Sequence, residues 1–91
     1  MNTFNKQSEH RKTGEKTFLP QEVVEKVAVE GKSLIHAWRE YKHMSQEDMA
    51  SRMHITDSVF RVLEKANNRL SDASVKKISA ALEVTEEQLR L

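Results

Sequence analysis

The chain has 91 residues, of which 32% are charged and 37% hydrophobic, and this composition suits one small domain with a modest core. It contains no cysteine, which excludes a disulfide framework and fits a cytoplasmic protein. No segment approaches the roughly 18 apolar residues of a membrane span. The N-terminus also lacks the apolar core of a secretion signal, so we expect neither membrane insertion nor export.

Charge is unevenly distributed along the chain. The formal net charge is +1, with +2 on residues 1–20 and −1 on residues 21–91. A DNA-binding function would therefore require a local basic face, since overall charge does not supply one. Residues 1–18 are predicted to be a flexible arm, because their first 17 residues contain one large apolar side chain, Phe4, and cannot offset the entropy of ordering.

An accessory helix is predicted within residues 19–32. Pro20 suits the first helical position and Gly31 suits the end of the helix. Three apolar residues share one face of this helix and a fourth falls off that stripe; they are Val23, Val24 and Val27, and Val29 respectively. The helix therefore either completes the core or offers part of its surface to a partner.

Residues 33–91 are predicted to be a helical domain without a convincing strand, so the fold class is all-α. Polar residues that cap helices stand at Ser33, Ser45, Thr56, and Ser71 or Asp72. They predict helices over about 33–43, 45–53 and 56–65, and a further helix that opens at 71 or 72. A capping box over residues 85–88 predicts a last short turn anchored by Leu89. The residues expected to face the core are Leu34, Ala37, Trp38, Tyr41, Met49, Ala50, Met53, Ile55, Phe60, Leu63, Val75, Ile78, Ala81 and Leu82.

Residues 44–65, MSQEDMASRMHITDSVFRVLEK, predict two short helices joined by a tight turn. Ala50 is small enough for the helices to cross closely. The turn requires a residue that tolerates positive φ, and His54 stands there instead of the usual glycine. This pattern is typical of a helix-turn-helix, which places its second helix in the major groove of DNA.

Residues 34–91 resemble the XRE family of phage-repressor-like helix-turn-helix proteins. The likeness lies in LIHAWREYKHMSQEDMASRMHIT, then VFRVLEK, then ISAALEVTEEQL. It implies a five-helix repressor-like domain over residues 33–91, preceded here by the accessory helix. It also implies a structural ion pair between Arg39 and Glu64, since the family carries an arginine and a glutamate at the matching positions.

A narrower resemblance covers LPQEVVEKVAVEGKSLIHAWREYKHMSQEDMA, which is similar to XRE antitoxins paired with toxins of the RelE/ParE type. It implies a transcriptional autorepressor whose residues 1–31 bind such a toxin. We expect a homodimer on double-stranded operator DNA, because a dimer would bind two half-sites.

Eight side chains are candidates for DNA contact. The resemblance assigns base reading to Asp57, Ser58 and Val62, although Asp57 also suits the start of a helix as a bare negative charge. Arg61 is placed to reach a phosphate or a guanine edge, and Gln46 could grip a phosphate from the start of the preceding helix. The candidates are Gln46, Asp57, Ser58, Arg61, Val62, Lys65, Asn68 and Arg69. Lys42 and Arg52 are further possible sources of positive charge.

Other functions find less support in the sequence. The four histidines are scattered and no carboxylate or cysteine completes a metal site, so no metal or other cofactor is expected. No glycine-framed nucleophile or phosphate loop appears, which argues against an enzyme. Two alternatives remain open: a phage-type repressor without a toxin partner, and a protein-interaction module that has lost DNA binding.

Overall fold

The computed structural model describes residues 18–90, so nearly all of the arm predicted over residues 1–18 lies outside the described residues, as does the side chain of Asn68. The described chain is all-helical and has no strand, which confirms the predicted fold class. Its α-helices are α1 (Gln21–Ala28), α2 (Leu34–Tyr41), α3 (Gln46–Met53), α4 (Asp57–Lys65) and α5 (Asp72–Leu82). Two short 3₁₀ turns follow α4 and α5, at Asn67–Arg69 and Glu87–Leu89.

Helix starts are set by local hydrogen bonds that the sequence predicts. A side-chain hydroxyl accepts from the backbone N–H three residues later at Ser33, Ser45, Thr56 and Ser71. At Ser45 the bond is reciprocal, because its own N–H donates to Asp48 Oδ2 at 2.8 Å and completes a capping box. This backbone bond is the main reason that the pKa of Asp48 is lowered.

The most extensive helix contacts are those of α1 with α2 and of α3 with both α4 and α5. The buried core contains most of the residues predicted for it, namely Leu34, Ala37, Trp38, Met49, Ala50, Phe60, Val75, Ile78, Ala81 and Leu82. Trp38 is buried, as predicted, and its Nε1 donates to the carbonyl of Gln88 at 3.0 Å. This bond ties the C-terminal turn, and with it the buried Leu89, to α2.

The accessory helix differs from its prediction. It begins one residue after Pro20, which is its N-cap, and it ends at Ala28. Val23 is fully buried, but Val24 is 43% exposed and Val27 is 37% exposed. A helix that packs mainly on one neighbour buries a narrow stripe, so α1 does not bury its whole valine face. Among residues 18–90, no helix is long and apolar enough to cross a membrane.

Two lysines and a histidine surround one carboxylate between α1 and α2. Glu40 Oε1 lies 2.7 Å from Lys32 Nζ and 3.2 Å from Lys26 Nζ, and Glu40 Oε2 lies 3.0 Å from His36 Nε2. The hydrogen bond from Lys32 is the largest cause that lowers the pKa of Glu40 to about 2, from an ordinary value of 4.5. The charged form of Glu40 therefore favours the folded state.

Stability should consequently fall with acid through this carboxylate. Because the pKa of Glu40 is lower in the folded state, ionised Glu40 stabilises the fold fully above pH 4.5. This stabilisation is lost as the pH falls through 4.5 towards about 2. We expect Glu40→Gln to lower the melting temperature near pH 6 and to lower it clearly less at about pH 2.5, where only part of the contribution is left. Thermal unfolding followed by circular dichroism at both pH values measures this.

The control is Glu25→Gln, because Glu25 accepts from the Gln21 amide in an exposed pair and shows no cation within ion-pair distance among the described residues. It should have a small effect at either pH. A deficit of Glu40→Gln that is equally large at both pH values would contradict the role assigned to this cluster.

Candidate nucleic-acid interface

The joint between α3 and α4 has the tight geometry that the sequence predicts. Ala50 is buried, with 2% exposure, on the helix that packs against α4. His54 ends α3 with φ 59° and ψ 43°, in the left-handed region, which costs a non-glycine residue about 1 kcal/mol. The next N–H, of Ile55, donates to the carbonyl of Ala50 at 3.0 Å. The chain therefore reverses sharply before Thr56 caps α4.

Helix α4 has a buried face and an exposed face. Phe60 and Glu64 are 0% and 4% exposed, and Leu63 packs partly buried against the core. On the outward side Val62 is 66% exposed, and Ser58, Arg61 and Lys65 are also exposed. Asp57 is half-buried in the first turn of the helix. The described chain thus leaves the outward side of α4 uncovered along its length.

An ion pair fixes the inner side of α4 to α2. Arg39 Nε donates to Glu64 Oε2 at 2.7 Å, and both residues are buried, at 8% and 4% exposure. Arg39 Nη1 also donates to the carbonyl of Met44 at 2.9 Å, just before α3. The pair implied by the family resemblance is therefore present, and it ties together α2, α4 and the start of α3.

Gln46 differs from its predicted use. The sequence predicts a phosphate contact for its amide, whereas in the structure both ends of the amide are engaged within the protein. Its Nε2 donates to Glu64 Oε1 at 2.9 Å, and its Oε1 accepts from Arg61 Nε at 3.0 Å. Gln46 and Arg61 therefore lie together at the start of α3, which sequence reasoning did not anticipate because they are 15 residues apart.

The last residue of α4 and the segment after it supply further positive charge. Lys65 and Arg69 are exposed, and no ion pair involves either of them within residues 18–90. Asn68, also predicted to contact DNA, has its side chain outside the described part. The neighbouring Asn67 was missed as a structural residue: its Oδ1 accepts from Ile35 N at 2.8 Å and so ties this turn to the start of α2.

Two other candidate cations point elsewhere. Arg52 donates to the carbonyl of Ala81 at 3.0 Å and lies 3.6 Å from the Glu83 carboxylate. Lys42 Nζ donates to the carbonyl of Glu83 at 3.4 Å. Both side chains therefore interact with the C-terminal end of α5, and the positive charge beside α4 comes from Arg61, Lys65 and Arg69.

Sequence reasoning also missed one exposed apolar residue on α4. Val59 is 47% exposed, one residue before the buried Phe60. Helical spacing could have indicated this exposure, because Val59 and Val62 are three residues apart and neither lies on the face of α4 that carries Phe60. The outward surface of α4 thus combines two valines with a hydroxyl and two cations.

A second exposed apolar surface lies on and around α1. Phe18 is 59% exposed and Val29 is 79% exposed, in addition to Val24 and Val27. Leu19, Val24 and Val27 line a groove of about 550 Å³ between α1 and the segment that follows α4, where Lys65 and Arg69 form part of its wall. The accessory helix is therefore adjacent to the cations at the end of α4.

Within residues 18–90, no three histidine or acidic side chains cluster closely enough to hold a metal ion. Comparison of the chain with protein-family models, curated proteins and solved structures finds no match. The chemistry on the outward side of α4 is therefore the main guide to function.

Proposed function

We propose that the protein is a sequence-specific DNA-binding transcriptional regulator of the XRE type, in which α3 and α4 form a helix-turn-helix and α4 enters the major groove. The observation that carries the proposal is the uncovered outward side of α4, with Ser58, Val62 and Lys65 exposed on a helix whose opposite side is held by Phe60 and Glu64. The major groove of DNA admits an α-helix, and the outward side of α4 carries polar and apolar side chains of the kinds that contact base edges.

Each exposed side chain has a chemical role in this proposal. Ser58 can donate to or accept from several bases, and Val62 can pack on a thymine methyl group. Lys65 and Arg69 neutralise phosphates beside the groove and fix the register of the helix. Asp57 stands in the first turn of α4, where the helix dipole stabilises its charge.

Dimerisation completes the proposed mechanism. A homodimer would place two copies of α4 in successive major grooves about 34–36 Å apart. The net charge of −1 on residues 21–91 implies modest affinity for a single domain, so two linked contacts would raise it. Occupation of an operator in this way would block transcription of the protein's own gene.

The test is DNA binding by the full chain, measured by fluorescence anisotropy on an operator selected from the upstream region. Lys65→Ala should weaken binding to all duplexes alike and reduce the slope of log affinity against log salt by about 1. Val62→Ala should instead reduce the preference for operator over unrelated DNA, because a base contact carries sequence information and a phosphate contact does not.

Lys77→Ala is the matched control. Lys77 is an exposed lysine of α5 beside Met53 and His54, at the end of α3 remote from Gln46. It should leave both affinity and salt slope unchanged. Absence of salt-sensitive binding by the unaltered protein at micromolar concentration would refute the DNA-binding function and would favour the protein-interaction module.

A specific observation also favours an antitoxin role. The exposed apolar side chains Phe18, Val24, Val27 and Val29 offer a surface for a protein partner, and they lie within the segment 1–31 that the family resemblance assigns to a RelE/ParE-type toxin. Co-expression with the adjacent reading frame tests this role. Stable co-purification that Val24→Asp with Val27→Asp abolishes would support an antitoxin, whereas a regulator without a toxin would purify alone.

A further inference from the structure

One continuous chain of hydrogen bonds connects the buried ion pair to the surface of α4. Arg39 donates to one oxygen of Glu64 at 2.7 Å, and Gln46 Nε2 donates to the other at 2.9 Å. Gln46 Oε1 then accepts from Arg61 Nε at 3.0 Å. The chain begins at a carboxylate that is 4% exposed and ends at an exposed guanidinium.

The chemistry of the groups fixes the orientation of the Gln46 amide. An ionised carboxylate only accepts hydrogen bonds, so Glu64 must receive the amide NH₂ of Gln46. The amide oxygen is thereby turned towards Arg61, to which it can offer only an acceptor. Because Arg39 also bonds the carbonyl of Met44, the buried end of this chain is itself immobilised.

Arg61 is consequently held at one nitrogen and free at two. Its Nε is occupied by Gln46, and no other bond of its side chain is seen within residues 18–90. The two terminal nitrogens retain four N–H groups, in the planar fork that suits two oxygens of one phosphate. Holding Nε in advance lowers the entropy lost when that fork binds.

The position of Arg61 around α4 favours a phosphate over a base. At about 100° per residue, Arg61 lies about 60° from Ser58 and about 100° from Val62, on the side that meets Gln46 of α3. A helix in the major groove turns its outward line towards the bases and its flanks towards the two backbones. Arg61 lies on a flank.

We propose that Gln46 is a positioning residue that holds Arg61 as a preformed clamp for one backbone phosphate, while Ser58 and Val62 face the bases. The clamp rests on the proposed DNA-binding function and adds to it that phosphate binding and base reading belong to different side chains of α4. Gln46 itself does not touch the DNA in this arrangement, since both ends of its amide are used.

The experiment is a double-mutant cycle by fluorescence anisotropy on the operator and on an unrelated duplex, across a range of salt. Arg61→Ala should weaken binding to both duplexes by a similar factor and reduce the slope of log affinity against log salt by about 1. Gln46→Met retains side-chain length and removes both hydrogen bonds. This variant should bind both duplexes roughly 3- to 10-fold more weakly but preserve the salt slope, because the charge of Arg61 remains.

Gln46→Met should have no further effect on binding when Arg61 is already alanine. Arg61→Lys provides a second route, because it retains the charge, lacks Nε and leaves Glu64 untouched. It should reproduce the weaker binding at unchanged slope, and Gln46→Met should again add nothing. Circular dichroism verifies that each variant is folded at the assay temperature.

Two results would overturn the clamp while leaving DNA binding in place. If Gln46→Met weakened binding by the same factor whether residue 61 is arginine or alanine, Gln46 would act independently of Arg61. A ten-fold or greater drop in preference for the operator upon Arg61→Ala would make Arg61 a base reader. Failure of the unaltered protein to bind any duplex would overturn both proposals.

Discussion

Replacement of Glu64 by alanine should lower the free energy of unfolding by about 3–5 kcal/mol, because it leaves the Arg39 guanidinium buried without its counter-charge. Arg39 and Glu64 are 8% and 4% exposed, so solvent cannot compensate fully. The Gln46 amide would lose its partner as well. Urea denaturation at neutral pH measures the loss.

Two further variants separate the ion pair from a general effect of losing a carboxylate. Glu47→Ala removes an exposed carboxylate from α3 and should change stability by less than about 0.5 kcal/mol. Arg39→Met combined with Glu64→Leu removes both charges and should cost less than Glu64→Ala alone, because no unpaired charge stays buried. If the double variant were the less stable of the two, the cost would lie in packing and not in the orphaned arginine.

Phe60→Ala should cost about 3–5 kcal/mol of folding stability. The ring is completely buried and stands on the inner side of α4, so its removal leaves a cavity where this helix meets the core. Because the helix would lose its main apolar attachment, we also expect weaker operator binding at temperatures where the variant is still folded. Urea denaturation and anisotropy give the two values.

The adjacent Val59 is the matched control for Phe60. It lies on the same helix but is 47% exposed, so Val59→Ala should alter stability by less than about 0.5 kcal/mol. If both alanine variants lost similar amounts of folding stability, α4 would not present Phe60 to the core. That result would also contradict the assignment of the outward side of α4.

Local chemistry explains why much of the fold was predictable. A cap such as Ser45 with Asp48 joins residues three apart, and the bond forms wherever the backbone turns into a helix. The stripe that includes Val75, Ile78 and Leu82 follows from helical periodicity alone. The turn at His54 was predicted for the same reason, since a short reversal between two helices needs a residue at positive φ.

Other features were beyond sequence reasoning. Positive φ at His43 and Glu83 was not predicted, because neither residue type identifies the end of a helix as glycine does. The exposure of Val24 and Val27 depends on how α1 crosses α2, and an apolar pattern does not specify that crossing. The bond from Trp38 to the carbonyl of Gln88 spans 50 residues and forms only when the intervening helices have brought α2 and the C-terminal turn together.

Local sequence patterns are enough to predict where α2 to α5 begin, which side of each is apolar, and that Thr56 caps a helix with Ser58 and Val62 on its outward side. These properties depend on neighbours within one or two helical turns. The bridge that Gln46 makes between Glu64 and Arg61 depends on the folded packing, because residues 15 to 18 positions apart meet only after α3 has packed on α4. The orientation of an exposed arginine is a property of that packing.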